Sequence, residues 1–335
     1  MHTRVFCYYG GIFLSARGFS PGYIFYLCIR KSGFMERVKG ILYAALSSST
    51  FGLAPLFTLL LLAAGYSSFE VLSYRWGVAS LFLGGLGVLS GRSFRLTRGE
   101  FATVFFLSLF RAATSLSLVI AYQHIASGVA STIHFMYPLA VALAMMCLFR
   151  EKGSVWVFAA IGMSIVGAVL LSLGNIDFTQ GNTALGIVSA SVSVVSYGGY
   201  IVGVRKSRAV EIDSTVLTCY VMGFGALYFI VGGLFTGGIR LETDGTTWLC
   251  ILGLALPATA VSNMTLVQAI KRIGPTLTSI FGAMEPLTAV VIGVAVFGEP
   301  FTMQGAAGIL LIVAAVSIVI LHSGRRKPET MRRTK

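Results

Sequence analysis

The chain is poor in charge. Only 11% of its 335 residues are Asp, Glu, Lys or Arg, against about 25% in a soluble domain. Acidic residues are the scarcer kind, twelve against 25 basic ones, a formal charge of +13. So few polar side chains cannot cover a water-facing surface, which excludes a soluble nucleic-acid binder despite the basic excess. Disorder and a coiled coil are excluded on the same grounds. The five cysteines (Cys7, Cys28, Cys147, Cys219, Cys250) show no CxxC spacing and lie mostly in apolar context. They read as small membrane-embedded hydrophobes, not as a disulfide framework or metal ligands. There is no GxxxxGK[ST], no HExxH and no ligand-spaced Cys/His group. The first absence excludes a P-loop ATPase in this chain, and the others leave an intramembrane enzyme without a motif, so no cofactor and no enzymatic activity are expected.

What is present is apolar: 56% of the residues are hydrophobic. A helix needs about 20 mostly apolar residues to cross a bilayer. Ten such stretches occur, at 40–63, 71–90, 101–122, 128–149, 154–173, 184–204, 214–236, 247–269, 275–297 and 303–321. They are continuous and about twice the length of the alternating strands of a membrane barrel, so the reading is an all-α polytopic membrane protein. The basic residues sort by side: 22 of the 25 fall before the first span, in the even-numbered loops or in the tail. Arg240 alone lies in an odd-numbered loop, and Arg75 and Arg111 lie inside spans. The Lys/Arg excess marks cytoplasmic loops, which puts both termini in the cytoplasm of a bacterial inner (plasma) membrane. Anionic cytoplasmic lipid is the expected counter-charge and nucleic acid is not an expected partner. Residues 1–38 read as a cytoplasmic leader, with Met35 an alternative start, and 323–335 as a basic cytoplasmic tail.

The chain repeats itself. Setting 121–171 against 269–319, an offset of 148, aligns Pro138 with Pro286, Tyr137 with Glu285, and Glu151 with Glu299 without a gap. Each copy, 39–174 and 183–322, holds five spans. Because five is odd, the second copy enters the membrane from the opposite side, giving the inverted repeats of many secondary transporters.

These features resemble the EamA family of the drug/metabolite transporter superfamily. The resemblance covers both halves and rests on the ten spans, on Tyr74-Arg75 in the second span, and on the twice-used order of small-residue helix, mid-helix proline and glutamate. It is strongest at Ala-Met-Glu-Pro-Leu-Thr-Ala (283–289) followed by Val-Phe-Gly-Glu-Pro (296–300). The first copy departs from the pattern, with Arg150-Glu151 in place of Gly-Glu and Tyr137 where the second copy has Glu285. The resemblance implies export or uptake of a small metabolite without ATP hydrolysis.

Ionisable groups inside a membrane are costly and therefore functional candidates. Glu285, near the middle of the ninth span, is a candidate for proton exchange or cation binding, with an ion pair to Arg111 as the structural alternative. Arg111, halfway along the third span, could hold a carboxylate or phosphate. His134 and Tyr137 share a face of the fourth span. Asn263 and Tyr200 complete the expected pocket, against an alternative of helix packing. Pro138 and Pro286 are expected to open the helices, and Glu151 and Glu299 to favour the start of the following helix or latch the gates. Arg75, few residues into its span, is expected to snorkel to the external interface. The expected function is a secondary transporter, exporting a small molecule by alternating access. An uncoupled facilitator or exchanger, and a membrane scaffold or sensor, are the alternatives, and a homo-oligomer is left open.

Overall fold

The computed structural model describes residues 6–9, 12–15, 21–125, 127–151, 153–172, 181–241, 244–285, 287–288, 291 and 303–323. The architecture is helical. In chain order the helices are α1 (Pro21–Phe51), α2 (Ala54–Ala63), α3 (Ser68–Leu89), α4 (Arg98–His124), α5 (Ser127–His134), α6 (Tyr137–Cys147), α7 (Val155–Ser172), α8 (Thr183–Lys206), α9 (Ser214–Phe235), α10 (Gly245–Ala255), α11 (Ser262–Ile273), α12 (Pro275–Ile280) and α13 (Met303–Ser323). The leader departs from the all-helical expectation. Strands Phe6–Tyr9 and Ile12–Ser15 pair antiparallel, with Phe6 opposite Ser15, and α1 starts well before the apolar run of the first span.

Among the described residues, seven stretches are long and apolar enough to cross a bilayer: Phe34–Ala63, Ser68–Leu89, Arg98–His124, Val129–Cys147, Thr183–Lys206, Ser214–Phe235 and Gly245–Ile273. Val155–Leu170 and Met303–Ile318 are shorter apolar helices, at the places expected for the fifth and tenth spans. The expected ninth span begins with α12 and a 3-10 turn at Phe281–Ala283, and most of its remainder lies outside the described residues. The helices are apolar on the outside as well as the inside: Leu81, Leu89 and Phe235 are largely exposed. A surface of that kind is stable only against lipid.

Polar residues start the helices at the membrane margin. Ser67 and Thr97 each accept the backbone N–H three residues on, and Glu70 and Glu100 accept the cap's own N–H in return. Each pair satisfies two otherwise orphaned donors. Asn182, Asp213 and Asp244 cap α8, α9 and α10.

The tightest packing is of α3 along α9, α7 along α13, α4 along α8 and α1 along α11. In the last pair the Ser47 hydroxyl donates to the Ser262 carbonyl at 2.8 Å. Between α3 and α9, a Cβ built on Gly225 would lie 2.0 Å from the ring of fully buried Trp76. Glycine there is what lets the indole lie against the backbone of the facing helix.

Several of the membrane-length stretches are interrupted partway along. The chain breaks between α1 and α2 at Gly52-Leu53, with Pro55 in the first turn that follows. It breaks between α5 and α6 at Phe135-Met136, with Pro138 at the start of α6. Leu256–Val261 is a π-helical turn containing Pro257 between α10 and α11, and α12 gives way to its 3-10 turn before Glu285. Proline lacks the amide hydrogen that would continue the ladder, which places the breaks. Irregular backbone at membrane depth persists where protein covers it or where it lines a cavity.

Candidate transport site

The interruptions meet around Arg111. Its guanidinium is fully buried between aromatic faces, with Cζ 5.5 Å from the Phe51 ring centre, 5.8 Å from Trp76, 5.2 Å from Tyr197 and 6.0 Å from Tyr200. Nε donates to Asn263 Oδ1 at 2.8 Å, and Nη1 donates to Ser115 Oγ at 3.2 Å, one turn along α4. Ring faces attract a cation most where water is excluded.

Arg75 overturns the expectation of a snorkelling side chain. It is only 4% exposed, its Cζ lies 5.7 Å from the same Phe51 ring, and Nε donates to Thr259 Oγ1 at 2.6 Å. The reason lies in α3's neighbours. Glu70, the acid one turn earlier, is held by Arg240, whose backbone N–H and Nε reach Glu70 Oε1 at 3.0 and 2.9 Å. The π-turn meanwhile presents an acceptor at Thr259, drawing Arg75 inward.

That turn joins the two arginines. The Thr259 hydroxyl passes its proton to the Leu254 carbonyl at 2.7 Å, so its oxygen is free to accept from Arg75. Asn263 Nδ2 donates to the Thr259 carbonyl at 2.8 Å, which turns Oδ1 toward Arg111 and settles the amide's orientation. A linked set of polar groups at a π-turn is a common functional use of that geometry.

Glu285 is partly buried and accepts from Tyr137 Oη at 3.4 Å. The structural alternative of an ion pair with Arg111 does not form: among the described residues no carboxylate lies within 4.0 Å of either Arg111 or Arg75. Tyr137 is 2% exposed and packs edge-on to Tyr197, with centroids 4.6 Å apart, over Gly282. His134 is buried beside it, with ring centroids 5.4 Å apart, and Nδ1 lies 2.8 Å from Ser193 Oγ. Because the Ser193 hydroxyl donates to the Ala190 carbonyl at 2.5 Å, its oxygen accepts from His134, whose proton is therefore on Nδ1. Tyr200 is fully buried against Arg111, and its hydroxyl has no partner among the described residues.

The remaining expectations fall elsewhere. Pro138 lies in the first turn of α6, and Glu151 pairs with Lys206 at 3.0 Å, tying the loop after α6 to the end of α8. Pro286 and Glu299 lie outside the described residues. The cavity beside the arginines is lined by Phe51, Thr58, Arg75, Arg111, Thr114 and Tyr122 among others, and encloses only ≈ 10 Å³, room for about one water. Phe51, Trp76 and Tyr197 were not read from the sequence as site residues. Gly52 and Pro55 around Phe51 were the available signal for the first. For Tyr197 it was Tyr200, three residues on and on the same helical face. Trp76 carried no such signal.

A bundle of apolar helices, broken partway along around buried charges, defines a polytopic integral membrane protein with a polar centre. The EamA-like transporter family model matches residues 38–173 and 184–321. The chain belongs to this family of membrane transporters, and so to the drug/metabolite transporter superfamily. It is similar to an "Uncharacterized transporter" of Archaeoglobus fulgidus, 26% identical over 64% of this chain and 75% of the relative. It is also similar to the "Uncharacterized inner membrane transporter YicL" of Salmonella typhimurium, 23% identical over 63% of this chain and 70% of that protein. The fold matches a solved crystal structure with a TM-score of 0.69 at 18% identity, covering 87% of this chain and 98% of the other.

Proposed function

We propose that this protein is a secondary exporter of a small polar or amphipathic metabolite. In this reading it has ten spans in two inverted five-helix repeats, 39–174 and 183–322, works by alternating access in a bacterial plasma membrane, and has both termini in the cytoplasm. The observation that carries the reading is the Tyr137–Glu285 contact. These residues are 148 apart in sequence, the offset of the internal repeat. Equivalent positions of two copies touch where a twofold axis passes between them. The packing supports the same symmetry. The α3–α9 and α7–α13 pairs each join equivalent spans of the two halves, and α4–α8 is matched by α1–α11. A substrate site at such a seam opens to either side when one half rocks against the other. The nearly closed cavity is then one state of the cycle, and a metabolite needs the helices to part.

Glu285 is the proposed coupling residue. It is a carboxyl at the seam with a phenol, not a cation, as its hydrogen-bond partner. It can therefore change protonation without breaking an ion pair. Metabolite profiling of the medium around overexpressing cells tests both parts. Wild type is expected to enrich at least one metabolite outside the cell. Glu285→Gln, reconstituted with that metabolite, is expected to lose the response of its transport to an imposed pH gradient. Identical media with and without the protein would refute the exporter, and an unchanged pH response in the variant would refute the coupling.

A further inference from the structure

We propose that the cavity between α2, α3 and α4 is an anion site, in which Arg75 and Arg111 together receive the carboxylate of a monoanionic organic acid whose apolar body lies against Phe51. The inference deepens the transport reading and rests on it for the role of the site in the cycle. Four observations carry it.

Both guanidiniums line one small cavity, and both lie within 6 Å of the same Phe51 ring. Among the described residues, neither has a carboxylate within 4.0 Å. The nearest acid in sequence to Arg75, Glu70, is committed to Arg240. Among the described residues Glu285 is the one acid of the seam, so even when ionised it leaves this pair of arginines with one net positive charge. Two like charges buried without a counter-ion call for an anion.

The unsatisfied groups are also of the right kind. Arg75 Nη2 is buried with no hydrogen-bond partner among the described residues, as is Trp76 Nε1 beside Arg111. Both can only donate. A site with buried donors to spare recognises an acceptor, and a carboxylate accepts from a guanidinium along two parallel bonds. Neutral polar ligands would leave the charge uncompensated, and cations would be repelled.

The rest of the wall is apolar. Phe51, Ala54, Leu118 and Val119 face the same space, which holds about one water as it stands, so the apolar body of the ligand enters along these side chains as the helices part. The hydroxyls of Thr58 and Tyr122 also line this wall, Tyr122 Oη lying 3.4 Å from Ser131 Oγ. Nε of each arginine is tied down, by Thr259 and by Asn263, and Arg111 Nη1 also donates to Ser115, which fixes the planes while Arg75 Nη2 is left for a ligand.

Three isosteric probes separate charge from shape: benzoate, benzamide and benzamidine. They are titrated against purified full-length protein in zwitterionic lipid nanodiscs, with binding read by microcalorimetry. The expected result is saturable benzoate binding, with the neutral and cationic probes weaker by roughly tenfold or more. Arg75→Gln is expected to bring benzoate and benzamide to near parity, while Arg75→Lys, which keeps the charge but not the fork, keeps part of the preference. Equal binding of the three probes, no benzoate binding, or a preference that survives Arg75→Gln would each overturn the anion site. The wild-type comparison decides the matter even if the variants do not fold. Failure of the two proposals looks different. Benzoate that binds but is not moved across proteoliposomes contradicts transport and leaves the site standing. Metabolite export without charge preference among the probes contradicts the site and leaves transport standing.

Discussion

Gly282→Ala is expected to lower the melting temperature of the purified protein and to abolish export. A Cβ at this position would lie 1.6 Å from Tyr137 Oη and 2.7 Å from Cζ. A hydroxyl at the end of a side chain can often swing away, but this ring is clamped. Its centroid is 4.6 Å from Tyr197, 5.4 Å from His134 and 5.9 Å from Phe135. The methyl therefore forces apart the 3-10 turn and α6, where the halves meet. Overpacking of a tight core costs about 1–3 kcal/mol, occasionally more. It also displaces the phenol from Glu285. Adding Tyr137→Phe removes the atom in closest conflict and is expected to recover part of the melting temperature. A Gly282→Ala protein with wild-type stability and export would refute the close contact at the seam.

Arg111→Met is expected to separate stability from activity. The guanidinium is held by Asn263 and Ser115 and by four ring faces, with no carboxylate partner among the described residues. Methionine fills much of the same volume without a buried charge, and replacing buried ionic groups with apolar ones is often neutral or stabilising. The melting temperature is therefore expected to hold or rise. Export is expected to fall by roughly a hundredfold, the scale of losing a desolvated charge from a recognition site. A structural arginine predicts the reverse, a destabilised protein that still transports. Thermal unfolding and export assays on the same preparation distinguish the two.

The membrane spans were legible because continuous apolar runs have one explanation in a chain so poor in charge. Arg111 and Glu285 were singled out by the cost of placing them in lipid, and the structure sets Arg111 against Asn263 and Glu285 against Tyr137. Arg75 was misplaced because its depth was judged by counting along its own span. What pulls it inward is Thr259, 184 residues away in sequence, on a π-turn that no local pattern announces. Proline foretold where the helices break, as at Pro138, but not that the breaks converge. The aromatic enclosure of Arg111 was hidden for a similar reason. Phe51, Trp76 and Tyr197 are ordinary apolar residues in apolar runs, and only tertiary packing sets their rings on a cation.

The central claim is that one polar seam opens alternately to the two sides of the membrane. Thr114 lines the cavity, is 1% exposed, and makes its side-chain bond to the carbonyl of Phe110 within its own helix, so cysteine replaces it with little disturbance. Thr114→Cys, in a chain whose five native cysteines have been replaced, can be challenged with a membrane-impermeant maleimide in right-side-out and in inside-out vesicles. The account predicts modification from both sides. Modification from one side only, or from neither, would contradict it.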